Sequence, residues 1–170
     1  YKLYPSTNNN LLMSLLADYS AVPINNIQYF SSSDSIHEYV ARMYVSVGDC
    51  ILINGPTYDN FRLVVESQGG VVHYHNYNDK FVFDSVSFAK DMDRLAPKIV
   101  YICNPNNPSG TLIDPKILVN LLERFPNSLF LIDEAYFEFT GVTSSEEVKT
   151  VKNIIITRTF SKAFALANFR

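Results

Sequence analysis

Apolar positions along this chain follow two periods that take turns. Leu11, Leu12, Leu15, Leu16 and Tyr19 recur at helical spacing, as do Ile36, Tyr39, Val40, Met43, Tyr44 and Val47. Phe61, Val64 and Val65 mark a third helix, and Ile117, Leu118, Leu121, Leu122 and Phe125 mark another, opened by Asp114-Pro115 as N-cap and first helical residue. Between these stripes lie short apolar segments near 27–30, 50–54, 71–75, 98–103, 129–132 and 153–157, each of which predicts a strand. Strands alternating with amphipathic helices require right-handed crossovers. The prediction is therefore an α/β, three-layer αβα domain with a mainly parallel sheet covered on both faces.

Composition narrows the picture only slightly. A chain of 170 residues, 47% of them apolar, is long enough for one domain with a substantial core. A net charge of −3 gives no electrostatic footprint for nucleic acid. Cys50 and Cys103 both fall in predicted strands, which favours buried free thiols over a disulfide or metal site and suits a reducing cytoplasm. No apolar run reaches the roughly 20 residues that span a bilayer, no basic-then-apolar leader opens the chain, and there is no internal repeat. The chain begins at Tyr1 and stops at Arg170, in what reads as a loop leading to a further strand, so an excerpt of a longer protein is expected.

The polar groups at the strand ends carry the chemistry. The 98–103 segment runs into Asn104-Pro105-Asn106-Asn107-Pro108-Ser109-Gly110, and 129–132 runs into Asp133-Glu134-Ala135-Tyr136. Ile154-Ile155-Ile156 precedes Thr159-Phe160-Ser161-Lys162, with Arg170 eight positions further on. Open parallel sheets bind ligands at these carboxyl ends. A Ser-Lys pair at a strand exit is by itself usually a solvated loop, because Lys seeks water; the two companion segments change that weighting.

With NPNNPSG at 104–110, DEAYFEF at 133–139 and RTFSKAFALANFR at 158–170, in that order and spacing, the chain resembles the fold-type I pyridoxal-phosphate-dependent aminotransferases, most closely the histidinol-phosphate aminotransferase group. The resemblance extends more loosely to Leu3-Tyr4-Pro5, Ser32-Ser33-Asp34 and Pro56-Thr57-Tyr58. It implies that 1–170 is part of the large cofactor-binding domain, with an additional antiparallel strand and a small C-terminal domain beyond Arg170. It also implies pyridoxal 5′-phosphate as cofactor, a small-molecule amino donor and a 2-oxo acid acceptor as substrates, and a homodimer.

Site roles follow from that resemblance residue by residue. Lys162 would be the Schiff-base amine and proton carrier. Asp133 would pair with the protonated pyridine nitrogen, which would also resolve the cost of burying a carboxylate at the end of an apolar strand; a helix cap is the alternative use of such an Asp. Tyr136 and Asn107 would hydrogen-bond the cofactor's phenolic oxygen, although a core tyrosine and a turn-forming Asn fit the same positions. Tyr58 matches the aromatic that stacks on the ring. Arg170, Thr159 and Ser161 would hold the phosphate, together with Ser33 and Asp34 at a helix N-terminus. Relatives usually have Gly where Ser32 stands, and a plain N-cap would look the same.

Tyr4 matches a tyrosine that reaches the phosphate bound in the partner subunit. His37, His73 and His75 belong to no motif and read as ordinary surface or core residues. Histidinol phosphate with 2-oxoglutarate is the substrate pair implied, an aromatic amino acid or a phosphorylated amino alcohol fits equally, and the arginine that grips the substrate lies beyond Arg170. A decarboxylase of phosphorylated amino acids would use the same groups, and a non-catalytic regulatory domain would be free to lose them.

Overall fold

β3 (Ile99–Cys103) is an unbroken apolar run and β4 (Leu129–Asp133) is apolar up to its last residue, both buried almost throughout, as strands covered on both faces must be. They lie in the middle of a computed structural model that describes residues 10–168. β1 (Cys50–Gly55), β2 (Val71–Asn76) and β5 (Ile154–Thr157) complete a five-stranded sheet in the order β2-β1-β3-β4-β5, with every pairing parallel. From β1 the chain departs to β2 on one side and returns to β3 on the other, the switch at which such sheets open a crevice. The register pairs Cys103 with Asp133 and Asp133 with Thr157, so polar groups from adjacent strands end in one row.

Side chains alternate across the sheet, and each set has its own helices. Ile51, Ile53, Ile99, Tyr101, Cys103 and Leu131 meet α2 (Ser33–Tyr44) and α3 (Asn60–Ser67) through Val40, Ala41, Phe61 and Val65. Leu52, Val100, Ile102, Phe130 and Ile132 meet α4 (Ser85–Leu95) and α5 (Pro115–Arg124) through Phe88, Met92, Leu118 and Leu122. Burying a side chain such as Phe88 contributes about 1.5–3 kcal/mol, and Phe88→Ala would cost about 3–5 kcal/mol with its cavity. The α/β layers and the Asp114-Pro115 start of α5 match the expectation; Asp114 accepts from the Lys116 N–H.

Four details differ from the sequence reading. Residues 27–30 form no strand: they follow a 3-10 turn at Ile24–Asn26 and pair with no neighbour, and Phe30 instead packs on Tyr39 at 5.6 Å. α4 was hidden because Phe88, Ala89 and Met92 form a short stripe among charges, but Asp84 caps it by accepting from Val86 and Ser87. α2 ends at Tyr44, and its buried face is His37, Val40 and Ala41, about one residue around the helix from the expected stripe; Tyr39, Met43 and Val47 are exposed. α1 (Asn10–Ser20) likewise leaves Leu11 and Leu15 outward. No helix of the described residues is long and apolar enough to cross a membrane.

Candidate active site

Asp133 ends β4 on the α2/α3 side of the sheet and is 3% exposed. Parity brings Tyr101, at the same side of β3, against it: the Tyr101 hydroxyl donates to Asp133 Oδ2 at 2.9 Å, and the Ala135 N–H donates to Oδ1 at 3.1 Å. Phe61 stacks on Tyr101 with ring centroids 5.0 Å apart. His37 lies edge-on to both rings, with Nε2 3.6 Å from Asp133 Oδ2. Burial holds His37 below its usual range against the opposing pull of Asp133 and Asp34. Burial, then the Asp133 charge, drives the Tyr101 hydroxyl well above its ordinary value, so it remains a donor. The same two causes push the Cys103 thiol up to about 12, which makes it an inert neighbour.

Lys162 reaches the same edge from β5. Its exposed Nζ stands 5.5 Å from the Tyr136 ring centroid, and Tyr136 begins the 3-10 turn Phe137–Phe139 just past Asp133. The loop is folded on itself, with Ser161 N–H donating to Thr159 Oγ1 at 3.1 Å and Ala165 N–H to the Lys162 carbonyl at 3.0 Å. Its base is fixed by a buried ion pair that sequence reasoning passed over. Arg158 donates from Nε and Nη2 to Glu134 Oε2 at 3.0 and 2.9 Å, and its guanidinium lies 3.8 Å over the Phe137 ring. Thr143 and the Ser144 N–H complete the Glu134 carboxylate.

The third element is the start of α2. Ser32 is its N-cap and forms a capping box with Ser35, which leaves the N–H groups of Ser33 and Asp34 without an intrahelical acceptor. Asp34 ties this turn to the segment after β1, accepting from the Tyr58 hydroxyl at 3.3 Å and from Asn60 Nδ2 at 2.9 Å. Burial, then Asp34, raises the Tyr58 hydroxyl above its usual range. After β3, turn formation falls to the neighbours of Asn107. Asn104 closes on Ile113 through both its amide atoms, and Asn106 holds Ser109 and the Pro56 carbonyl, so half-exposed Asn107 is left available.

A cavity of about 190 Å³ meets this edge on one side only. Ser33, Thr159 and Ser161 line it with Tyr19, Phe30 and Phe164, whereas Asp133, Tyr136, Lys162 and Tyr58 do not. The structure thus brings Lys162 to the Tyr136 ring, three residues past Asp133, and lines one cavity with Ser33, Thr159 and Ser161. Tyr4 and Arg170 lie outside the described residues. His37 is a core residue, one of the two readings left open for it in the sequence, on the buried face of α2 with Val40 and Ala41.

The parallel α/β sheet, with a buried carboxylate, a tyrosine and a lysine past its strand ends, has the architecture of a transferase large domain, a class that similarity to known proteins identifies. The family described as aminotransferase class I and II matches residues 1–170, and the chain belongs to it. It is 40% identical over 169 residues to the dihydroxyacetone phosphate transaminase of Campylobacter jejuni, covering 98% of this chain and 46% of that protein. It is 34% identical to the histidinol-phosphate aminotransferase of Ruminiclostridium cellulolyticum, covering 99% and 48%. The crystal structure of histidinol-phosphate aminotransferase from Sinorhizobium meliloti in complex with pyridoxal-5′-phosphate superposes with a TM-score of 0.88 at 26% identity, over 98% of this chain and 46% of that one. The chain spans about half the length of the relatives it matches.

Proposed function

We propose that this chain is the cofactor-binding part of a pyridoxal 5′-phosphate-dependent aminotransferase. The observation that carries the reading is the pairing of Lys162 over Tyr136 beside Asp133, a carboxylate only 3% exposed to which no Lys or Arg of the described residues is paired. A buried carboxylate without a fixed cation suits a cationic ligand, so the donor set fits the group. Bound pyridoxal phosphate would supply an electron-accepting ring and a carbonyl carbon that condenses with amines.

Lys162 Nζ would hold that carbon and, once a substrate amine replaces it, carry a proton from the substrate Cα. Asp133 would keep the ring nitrogen protonated. Tyr136 and Asn107 would donate to the phenolic oxygen, and Tyr58 would cover one ring face. The N–H groups of Ser33 and Asp34, with the Thr159 and Ser161 hydroxyls and Arg170, would bind the phosphate. Tyr4 would reach the phosphate of a partner subunit in a homodimer, a reading supported by the outward apolar side chains of Tyr39, Met43 and Val47.

The substrates would be an amino donor, either an amino acid or a phosphorylated amino alcohol, and a 2-oxo acid acceptor, with histidinol phosphate the first donor to try. Both relatives' names specify a phosphate ester. The test uses the protein at full family length. Borohydride reduction followed by mass spectrometry should find the pyridoxyl group on Lys162, and glutamate alone should yield 2-oxoglutarate in stoichiometric amount without carbon dioxide. A modified lysine elsewhere would sink the site. Release of carbon dioxide from a phosphorylated amino acid would make the protein a decarboxylase, and no turnover of any amine would favour a regulatory module.

A further inference from the structure

At the centre of the buried face of α2 stands one titratable side chain. His37 is 0% exposed, and neither of its ring nitrogens has a hydrogen-bond partner among the described residues. A neutral imidazole always carries one N–H. Here that donor can face Asp133 Oδ2, 3.6 Å from Nε2, a separation roughly 0.4–0.9 Å longer than an ordinary N–H···O hydrogen bond. Oδ2 already accepts from Tyr101 and has a lone pair left. The groups facing His37 are Asp133 from β4, Asp34 from its own helix, and the rings of Phe61 and Tyr101.

We propose that His37 is a positioning residue for Asp133: its Nε2–H closes on Oδ2 and, with the Tyr101 hydroxyl, fixes the carboxylate as an uncancelled negative charge for the cofactor's ring nitrogen. The proposal rests on the role given to Asp133 above. A lysine or arginine at this place would orient the carboxylate too, but it would also neutralise it and remove the reason for a cationic ligand to bind. A neutral donor orients without cancelling. The aromatic surroundings favour that neutral form, since an imidazolium buried between Phe61 and Tyr101 would lose its hydration.

The first test reads the wild-type protein of full family length, labelled with nitrogen-15 histidine. His37 should be the neutral Nε2–H tautomer, and its ring proton should move downfield when pyridoxal phosphate is added. An Nδ1–H tautomer or an unmoved resonance overturns the proposal without any variant having to fold.

The second test titrates His37→Leu and His37→Gln with pyridoxal phosphate labelled at the ring nitrogen. His37→Leu should bind about tenfold more weakly, as loss of one neutral hydrogen bond predicts, and the ring nitrogen should shift toward its unprotonated position. His37→Gln keeps an N–H near the place of Nε2 and should recover most of both effects. Equal affinity and equal shift in all three proteins reject the positioning role. Asp133→Asn separates the two levels: if it leaves the ring-nitrogen shift unchanged, the reading of Asp133 fails and His37 with it. If it moves the shift while His37→Leu does not, only the His37 proposal fails.

Discussion

Replacing Arg158 by Met tests whether the loop bearing Lys162 is anchored by the Glu134 ion pair. Glu134 is 0% exposed and has four partners: two Arg158 nitrogens at 2.9 and 3.0 Å, the Thr143 hydroxyl, and the Ser144 N–H at 2.8 Å. The Met variant keeps the last two and some packing on Phe137, but it removes two hydrogen bonds to a charged group, each worth about 1.5–3 kcal/mol. The Arg158 side chain is 15% exposed, so water can partly replace it. The lower end is therefore expected, a loss of about 3 kcal/mol, within the range for breaking one half of a buried pair.

Arg158→Lys should lose about half as much, because one ammonium cannot take the places of both guanidinium nitrogens that converge on Oε2. Adding Glu134→Gln to Arg158→Met should regain stability, since the stranded charge is gone. Urea unfolding of the full-length protein gives these differences from midpoints at constant slope. A loss below about 1 kcal/mol for Arg158→Met, or a double variant no more stable than that single one, would refute the reasoning.

Asp133→Asn should fold, because an amide oxygen can still accept from Tyr101 or Ala135, yet lose turnover by about a hundredfold or more, near 3 kcal/mol of transition-state stabilisation; near-normal kcat would reduce Asp133 to a structural residue. Gly70→Ala should cost about 1–3 kcal/mol by overpacking, since its Cβ would fall 2.7 Å from Val65 Cγ1 and 2.8 Å from Val45 Cγ1; an unchanged urea midpoint would contradict that packing. Burial lowers His37 from its ordinary value near 6.5, so the unfolded chain takes up this proton at higher pH than the folded one. Stability should fall as pH drops from about 6.5 through the folded value and be insensitive to this group above it. His37→Gln should flatten that slope, and an identical slope in the variant would show that His37 does not titrate there.

The layers and the strand ends were legible because the interior strands open on apolar runs of four or more residues, Cys50–Ile53, Ile99–Cys103 and Leu129–Ile132, and because Asp114-Pro115 and the NPNNPSG turn punctuate the chain locally. Helix faces were less legible. A 3.6-residue period fits two stripes on α2 almost equally, and the one that is buried is chosen by what β3 and β4 present, which is far away in sequence. The same limit hid the Glu134–Arg158 pair. Glu134 sat within a motif already noticed, but a carboxylate beside a carboxylate gives no sign of which one will find a guanidinium 24 positions later. Residues 27–30 misled for a different reason: apolar content marks something to be covered, and Phe30 is covered by Tyr39 rather than by a neighbouring strand.

Asp133 belongs to the α2/α3 side of the sheet because it is an even number of residues from Leu131 and level with Cys103. Even and odd positions of β4 are thus two separate addresses. Lengthening the connection before β4 changes neither, so that loop can drift in length over evolutionary time at little cost to the chemistry. Inserting or deleting a single residue within β4 exchanges the addresses: Asp133 would turn toward α4 and α5, away from Tyr101 and His37, while an isoleucine took its place. Length variation in this chain is therefore expected to gather between the elements and to stop at the strand boundaries, and a laboratory insertion scan would trace those boundaries by where activity disappears.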